Sequence, residues 1–149
     1  MTPDAAAALE GIYRDLDSEL NRINPVCRSS GNCCQFTKAG HELWTTPLEY
    51  DYLMERESTD GRAFKQGVCP FLTPDLKCGV RHHRMLGCRI YFCDPAYAAQ
   101  MPVVFEKYHA RVKAAMNGQG IGYGYFRFMD RIRERFNAAP APPPARDPS

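Results

Sequence analysis

Seven cysteines occupy the middle of this 149-residue chain and constrain its fold more than any other feature. An odd number of cysteines argues against a framework made only of disulfides. The N-terminal residues have neither the basic start nor the apolar run of a secretory signal, so we expect a cytoplasmic protein whose thiols bind metal. The cysteines are Cys27, Cys33, Cys34, Cys69, Cys78, Cys88 and Cys93.

The spacing of the cysteines indicates which of them can share a metal. Thiolates are soft and negatively charged, so several that converge need a cation, usually zinc or iron in an iron–sulfur cluster. Cys88 and Cys93 have the separation of common zinc ligands. Cys27 and Cys33 flank a loop that contains glycine and asparagine, residues that tolerate the backbone angles of a ligand loop.

Cys33 and Cys34 are adjacent, which is unusual for ligands of one ion. In extended backbone, neighbouring side chains point to opposite sides. The pair therefore suits two different metals, a polynuclear cluster, or one ligand beside one buried thiol. Reduced thiols without metal remain the alternative for the whole set.

A hairpin is predicted between residues 68 and 80. Two short apolar runs, 68–72 and 76–80, flank Thr73-Pro74-Asp75, which is a turn signal. Closing this hairpin would bring Cys69 and Cys78 together.

Two helices are predicted in the first half of the chain. Residues 3–23 carry apolar side chains at three- and four-residue spacing, with Thr2 as the N-cap and Asn24-Pro25 as the end. Thr46-Pro47-Leu48-Glu49 is a capping box that starts a second helix, which should stop near Ser58.

The remaining patterns predict a short strand over 41–46, a helix over 94–117 with a restart or kink at Met101-Pro102, and a last helix over about 125–136. The fold class predicted is mostly α with a small β-hairpin. Residues 1–136 would form a single compact domain organised around a cysteine-ligated metal centre, and 137–149 a disordered tail rich in proline and alanine.

Composition narrows the class of partner. The chain is 44% hydrophobic and 24% charged, which permits a packed core, and its net charge is +2. This charge excludes a strongly basic nucleic-acid binder, and no apolar run approaches the roughly 18 residues of a membrane helix. We expect neither nucleic acid nor membrane as a partner, but a protein or small molecule that the sequence does not identify.

Basic residues are interleaved with the later cysteines. Arg81, Arg84 and Arg89 could offset the negative charge of a thiolate cluster, or form a solvated basic turn. His82 or His83 as a metal ligand is a lesser alternative. No spacing singles out a catalytic acid or base, so catalytic residues stay unknown.

Four cysteine-bearing parts of the chain, residues 27–34, residues 69–72, Cys78 and residues 84–91, form one pattern. Together they resemble the YkgJ-type cysteine-cluster family, whose CxxCxxCC domain is associated with zinc or iron chelation. The resemblance covers about residues 24–94. Two positions depart from the family pattern: Ser30 stands where the family has a second cysteine, and Met85 where it usually has proline. The segments are Cys27-Arg28-Ser29-Ser30-Gly31-Asn32-Cys33-Cys34, Cys69-Pro70-Phe71-Leu72, Cys78, and Arg84-Met85-Leu86-Gly87-Cys88-Arg89-Ile90-Tyr91.

The resemblance implies metal binding, with an iron–sulfur cluster, most simply 4Fe–4S, as the leading cofactor and zinc as the other. Similar members include the cysteine-rich part of flagellin lysine methylases, which points to redox or enzyme-associated chemistry such as methyl transfer. The alternative is a zinc-binding structural or interaction module without catalysis. A thiol–disulfide enzyme is the weakest reading, because no Cys-x-x-Cys stands at a helix start.

Overall fold

The structure is a computed structural model that describes residues 1–26, 34–36 and 40–137. These residues are mostly helical, as predicted, with one pair of very short antiparallel strands. In chain order the elements are α1 (Pro3–Ile23), β1 (Trp44–Thr45), α2 (Pro47–Arg56), a 3-10 helix (Arg81–His83), α3 (Leu86–Ile90), α4 (Met101–Gly118), β2 (Phe126–Arg127) and α5 (Phe128–Asn137).

Helix α1 has the bounds and caps that the sequence predicted. The Thr2 hydroxyl accepts a hydrogen bond from the Ala5 amide at 3.1 Å. Asn24 adopts a left-handed conformation with φ of 57°, and its amide donates to the Leu20 carbonyl at 2.7 Å. The predicted apolar stripe is the buried side of the helix, which packs against α4 and α2 in a first hydrophobic cluster.

Helix α2 begins at the predicted capping box. The Thr46 hydroxyl caps the Glu49 amide, and the Glu49 carboxylate in turn accepts from the Thr46 amide. The helix ends at Arg56, two residues before the predicted Ser58.

Helix α4 begins at Met101, so the predicted helical start at Asp94 is wrong. Pro102 has no amide hydrogen, and a helix running through it would lose a hydrogen bond and bring the ring against the preceding turn. The chain before it instead forms separate turns, one of them closed by the Tyr97 amide on the Asp94 carbonyl at 3.0 Å.

The hairpin predicted over 68–80 is not formed as a pair of strands. Only a single bridge joins Leu72 and Cys78, around a turn in which the Thr73 amide donates to the Lys77 carbonyl at 2.8 Å. Pro70 has no amide hydrogen to donate to a strand ladder, and Leu76 has a positive φ of 63° that strand residues do not adopt. Regular pairing therefore does not extend beyond the bridge. The antiparallel strands lie elsewhere, with Trp44 opposite Arg127 in β1 and β2.

Helix α5 starts at Phe128, later than predicted, because the two residues before it pair with β1. Asn137, assigned from the sequence to the tail, is the last residue of this helix. The rest of the predicted tail, 138–149, lies outside the described residues.

In the described part of the chain, no helix combines the length and hydrophobicity needed to span a bilayer.

A second hydrophobic cluster lies apart from the first and contains cysteines. It is formed by α5, the inner side of α2 and the irregular segments 69–72 and 78–88. Phe71, Leu53, Phe128 and Ile132 are fully buried within it. The cysteines of this cluster are therefore positioned by a core with few helices and strands.

Candidate metal centre

Of the five cysteines that the structure describes, four belong to the second hydrophobic cluster or pack against it. Cys34 and Cys69 are buried, whereas Cys78 and Cys88 are partly buried. The Cys69 amide donates to the Cys34 carbonyl at 2.7 Å, which joins two segments that are distant in the sequence. We call these four residues the thiol cluster.

The side chains of Cys34 and Cys78 are in direct contact. The pKa of the Cys78 thiol is lowered from 9.0 to about 6, and the largest cause is a hydrogen bond from Cys34. A backbone hydrogen bond at Val80 and the positive charges of Arg84 and Arg81 contribute smaller parts of this shift, while burial opposes it. Cys78 therefore has the thiolate character that metal ligation requires.

Arg84 links the two partly buried cysteines. Its Nη1 donates to the Cys88 carbonyl at 3.2 Å, and its Nε donates to the Arg81 carbonyl at 3.0 Å. The guanidinium charge acts favourably on the thiolates of both Cys78 and Cys88. Arg84 is half-buried, so this attraction is screened less than it would be on an open surface.

Glu49 fixes the start of the helix that carries Cys88. Its Oε1 accepts from the Leu86 amide at 2.6 Å, and its Oε2 accepts from the Thr46 hydroxyl at 2.8 Å. The side chain is buried, and burial raises the pKa of Glu49, although the bonds from Leu86 and Thr46 oppose that rise. The sequence reveals this glutamate as part of a capping box, but not as the anchor of α3.

Arg89 is directed into the core and not toward the thiol cluster. It donates to the Arg84 carbonyl at 2.7 Å and to the His82 carbonyl at 2.8 Å. Its guanidinium lies 3.7 Å from the centre of the Tyr13 ring. Arg89 thus orders the backbone of residues 81–84, which we call the basic segment. The spacing of the sequence alone did not suggest this role.

The two histidines of the basic segment, His82 and His83, have partners outside the thiol cluster. The Nδ1 of His83 lies 2.6 Å from the Glu57 carboxylate, and its ring meets Tyr52 edge to face. His82 is exposed. Neither histidine is placed among the thiols.

Among the described cysteines, Cys93 is the one that lies outside the thiol cluster. Cys93 is exposed, with its sulfur 3.7 Å from the Tyr91 hydroxyl. The neighbouring Asp94 carboxylate accepts a hydrogen bond from the Val26 amide at 2.9 Å. This bond holds the chain at Val26, the last described residue before Cys27. Cys27 and Cys33 lie outside the described residues, as does the predicted ligand loop between them.

Across residues 1–26, 34–36 and 40–137, no three His, Cys, Asp or Glu side chains are grouped closely enough to hold a metal ion. The described cysteines are thiols that form no disulfide with one another. The thiol cluster therefore supplies soft donors and compensating positive charge, but not a finished coordination shell.

No known protein family, no curated protein and no solved structure matches the chain.

Proposed function

We propose that the chain binds a metal centre through cysteine thiolates and that this centre is an iron–sulfur cluster. The observation that supports it best is the convergence of Cys34, Cys69, Cys78 and Cys88 on one buried region. The resemblance to YkgJ-type proteins supports the same proposal, because it rests on segments that carry these cysteines.

The surroundings of the thiol cluster suit a negatively charged centre. Buried thiolates repel one another and are stable only when a cation neutralises them. Arg84 places a half-buried positive charge beside two of the four, which would stabilise the ligated form. Apolar neighbours such as Phe71 and Met85 would limit the access of water.

An iron–sulfur cluster bound here would supply electron transfer or serve as the core of an enzyme. The chain's own residues would hold it, with ligands drawn from the thiol cluster and Arg84 as a positioning charge. The described thiols would have to move closer together, because no three of them are grouped tightly enough to hold an ion as they stand. Cys27, Cys33 and Cys93 remain sequence-based candidates for further ligands. Methyl transfer is proposed by family analogy alone.

A zinc-bound structural module is the second candidate, and the contact between Cys34 and Cys78 favours it. Two thiolates on a tetrahedral zinc ion are about 3.8 Å apart, because each Zn–S bond is about 2.3 Å. That separation matches sulfur atoms in hydrogen-bond contact, so the two side chains could meet on one ion with little movement.

Elemental analysis together with an anaerobic absorption spectrum separates the two candidates. An iron–sulfur protein purified without air should be brown, absorb near about 400 nm and contain iron and acid-labile sulfide. Colourless protein with stoichiometric zinc would support the second candidate. Stably folded protein without either metal would overturn both.

Serine variants test the ligand assignment. We expect Cys69→Ser and Cys88→Ser to lose the metal, because both thiols belong to the thiol cluster. Cys93→Ser makes the same chemical change at an exposed position, and metal retained in that variant would exclude Cys93 as a further ligand. Equal metal content in Cys69→Ser, Cys88→Ser and the parent protein would contradict the assignment.

A further inference from the structure

An open cleft of about 290 Å³ lies beside Cys88. It is bounded by the segment 41–44, by α3 and the residues after it, and by the first turn of α4. Six of the 13 described residues that line it carry aromatic rings, which come from distant parts of the chain. They are Phe36, His41, Trp44, Tyr91, Phe105 and Tyr125.

The rings of the cleft form contacts with each other and still leave faces uncovered. Trp44 and Tyr125 lie with ring centres 5.5 Å apart at an angle of 31°, and they are 40% and 39% exposed. His41 stacks on Tyr91 at 4.7 Å with the planes only 18° apart. Exposed aromatic faces that converge on one concavity are typical of ligand sites.

The described residues that line the cleft include a single charged side chain, and that charge is paired. Among the described residues that line it, Glu42 is the only one with a formal charge at neutral pH, and it pairs with Arg127 at 3.0 Å. None of the lining residues that the structure describes is an arginine or lysine that could bind an anionic group. The polar groups on the rings, such as the Tyr125 hydroxyl, can donate to a carbonyl oxygen.

We propose that this cleft binds a small, planar, uncharged molecule with a conjugated ring that carries carbonyl oxygens, the chemistry of a quinone. The volume lies at the lower limit of small-molecule pockets, which suits one ring or two fused rings. A flat π-system gains ring contacts with Trp44 and Phe105 that an aliphatic molecule of equal size does not. The inference goes beyond the proposed metal centre and does not depend on which metal is bound.

Trp44 provides a direct probe, because it is the chain's single tryptophan and lies in the cleft wall. Duroquinone is the test ligand, since its ring carbons are fully substituted and it does not readily add thiols. Titrated anaerobically into the protein as purified, it should quench Trp44 fluorescence along a saturating curve. Quenching that only rises linearly with duroquinone would indicate collisions and overturn the proposal.

Variants on one helix test the location. Phe105→Ala removes a ring of the wall and should weaken duroquinone binding by about two- to tenfold. Val103→Ala is the matched control, because Val103 is 70% exposed and does not line the cleft. Equal affinity in Phe105→Ala and the parent protein would refute the site.

A second variant and a competitor keep the test decisive if Phe105→Ala does not fold. Tyr125→Leu keeps an apolar side chain in a half-exposed position but removes the ring, and it should also weaken binding. Cyclohexane-1,4-dione carries two carbonyls on a saturated, non-planar ring and should not displace duroquinone. Displacement by it would contradict the preference for a flat π-system. Metal content is measured separately, so failure of the cleft is distinguishable from failure of the metal centre.

Discussion

Replacing Glu49 with alanine should destabilise the fold by about 3 kcal/mol. The change removes the acceptor of the Leu86 amide, and a buried amide without a partner costs roughly 1–3 kcal/mol. It also removes half of the capping box of α2, which contributes about 1 kcal/mol. Relief of the cost of burying a carboxylate offsets part of this loss.

Thermal and urea unfolding followed by circular dichroism measure the effect. For a chain of this length, a loss of 3 kcal/mol lowers the melting temperature by about 6–12 °C. Glu42→Ala is the control, because Glu42 is exposed and its pair with Arg127 contributes about 0–1 kcal/mol. A Glu49→Ala variant within 1 kcal/mol of the parent protein would refute the anchoring role.

Glu49→Gln separates hydrogen bonding from charge. The amide oxygen still accepts from Leu86, so we expect the variant to be within about 1 kcal/mol of the parent at pH 7. Because burial raises the pKa of Glu49 above its ordinary 4.5, ionisation costs more in the folded chain than in the unfolded one. The stability of the parent relative to Glu49→Gln should therefore be greatest below about pH 4.5 and decline as the pH rises through the raised pKa. A relative stability that increases with pH would contradict this sign.

Three further outcomes are expected. The hydrogen bond from Lys107 lowers the pKa of Glu19 below 4.5, with Tyr108 adding to it, so the contribution of Glu19 is present above that pH and is lost as the pH falls through the lowered pKa. In urea unfolding, Glu19→Gln should cost about 1 kcal/mol at pH 7 and much less at pH 3. Thr2→Ala should cost about 1 kcal/mol through loss of the α1 N-cap, also measured in urea. If the protein binds the proposed metal centre, a chelator that removes it should increase alkylation of Cys69 by iodoacetamide, read by mass spectrometry; equal alkylation before and after would argue against ligation by that thiol.

The parts of the fold that the sequence predicted well depend on local chemistry. Thr2 and Thr46 are N-caps followed directly by proline, and each starts its helix where expected. The apolar stripe of α1 repeats over many turns, so its buried face follows from periodicity alone. Such signals are contained within a few neighbouring residues and do not require knowledge of the rest of the chain.

The strand predicted over 41–46 is confirmed by β1, but the pairing of the strands could not be predicted in the same way, because the partners are distant in the sequence. Thr45 pairs with Phe126, and nothing near either residue indicates the other. The turn after Thr73 is a correct local signal, but Pro70 and the positive φ of Leu76 prevent the strands that would normally accompany it. A turn motif therefore predicts the reversal of the chain without predicting a ladder.

The candidate site was also predictable only where its features are local in the sequence. Cysteine chemistry identifies the thiols from the sequence, but the bonds that position them join residues far apart, as in Glu49 with Leu86 and Cys69 with Cys34. These bonds belong to a hydrophobic core, and the first cluster, around α1 and α4, contains no cysteine among its members. A classical zinc finger depends on its metal for folding because it lacks such a core. Here the packing of α1 against α4 does not require ligated thiols, so metal loss should loosen the second cluster while most of the helical signal persists.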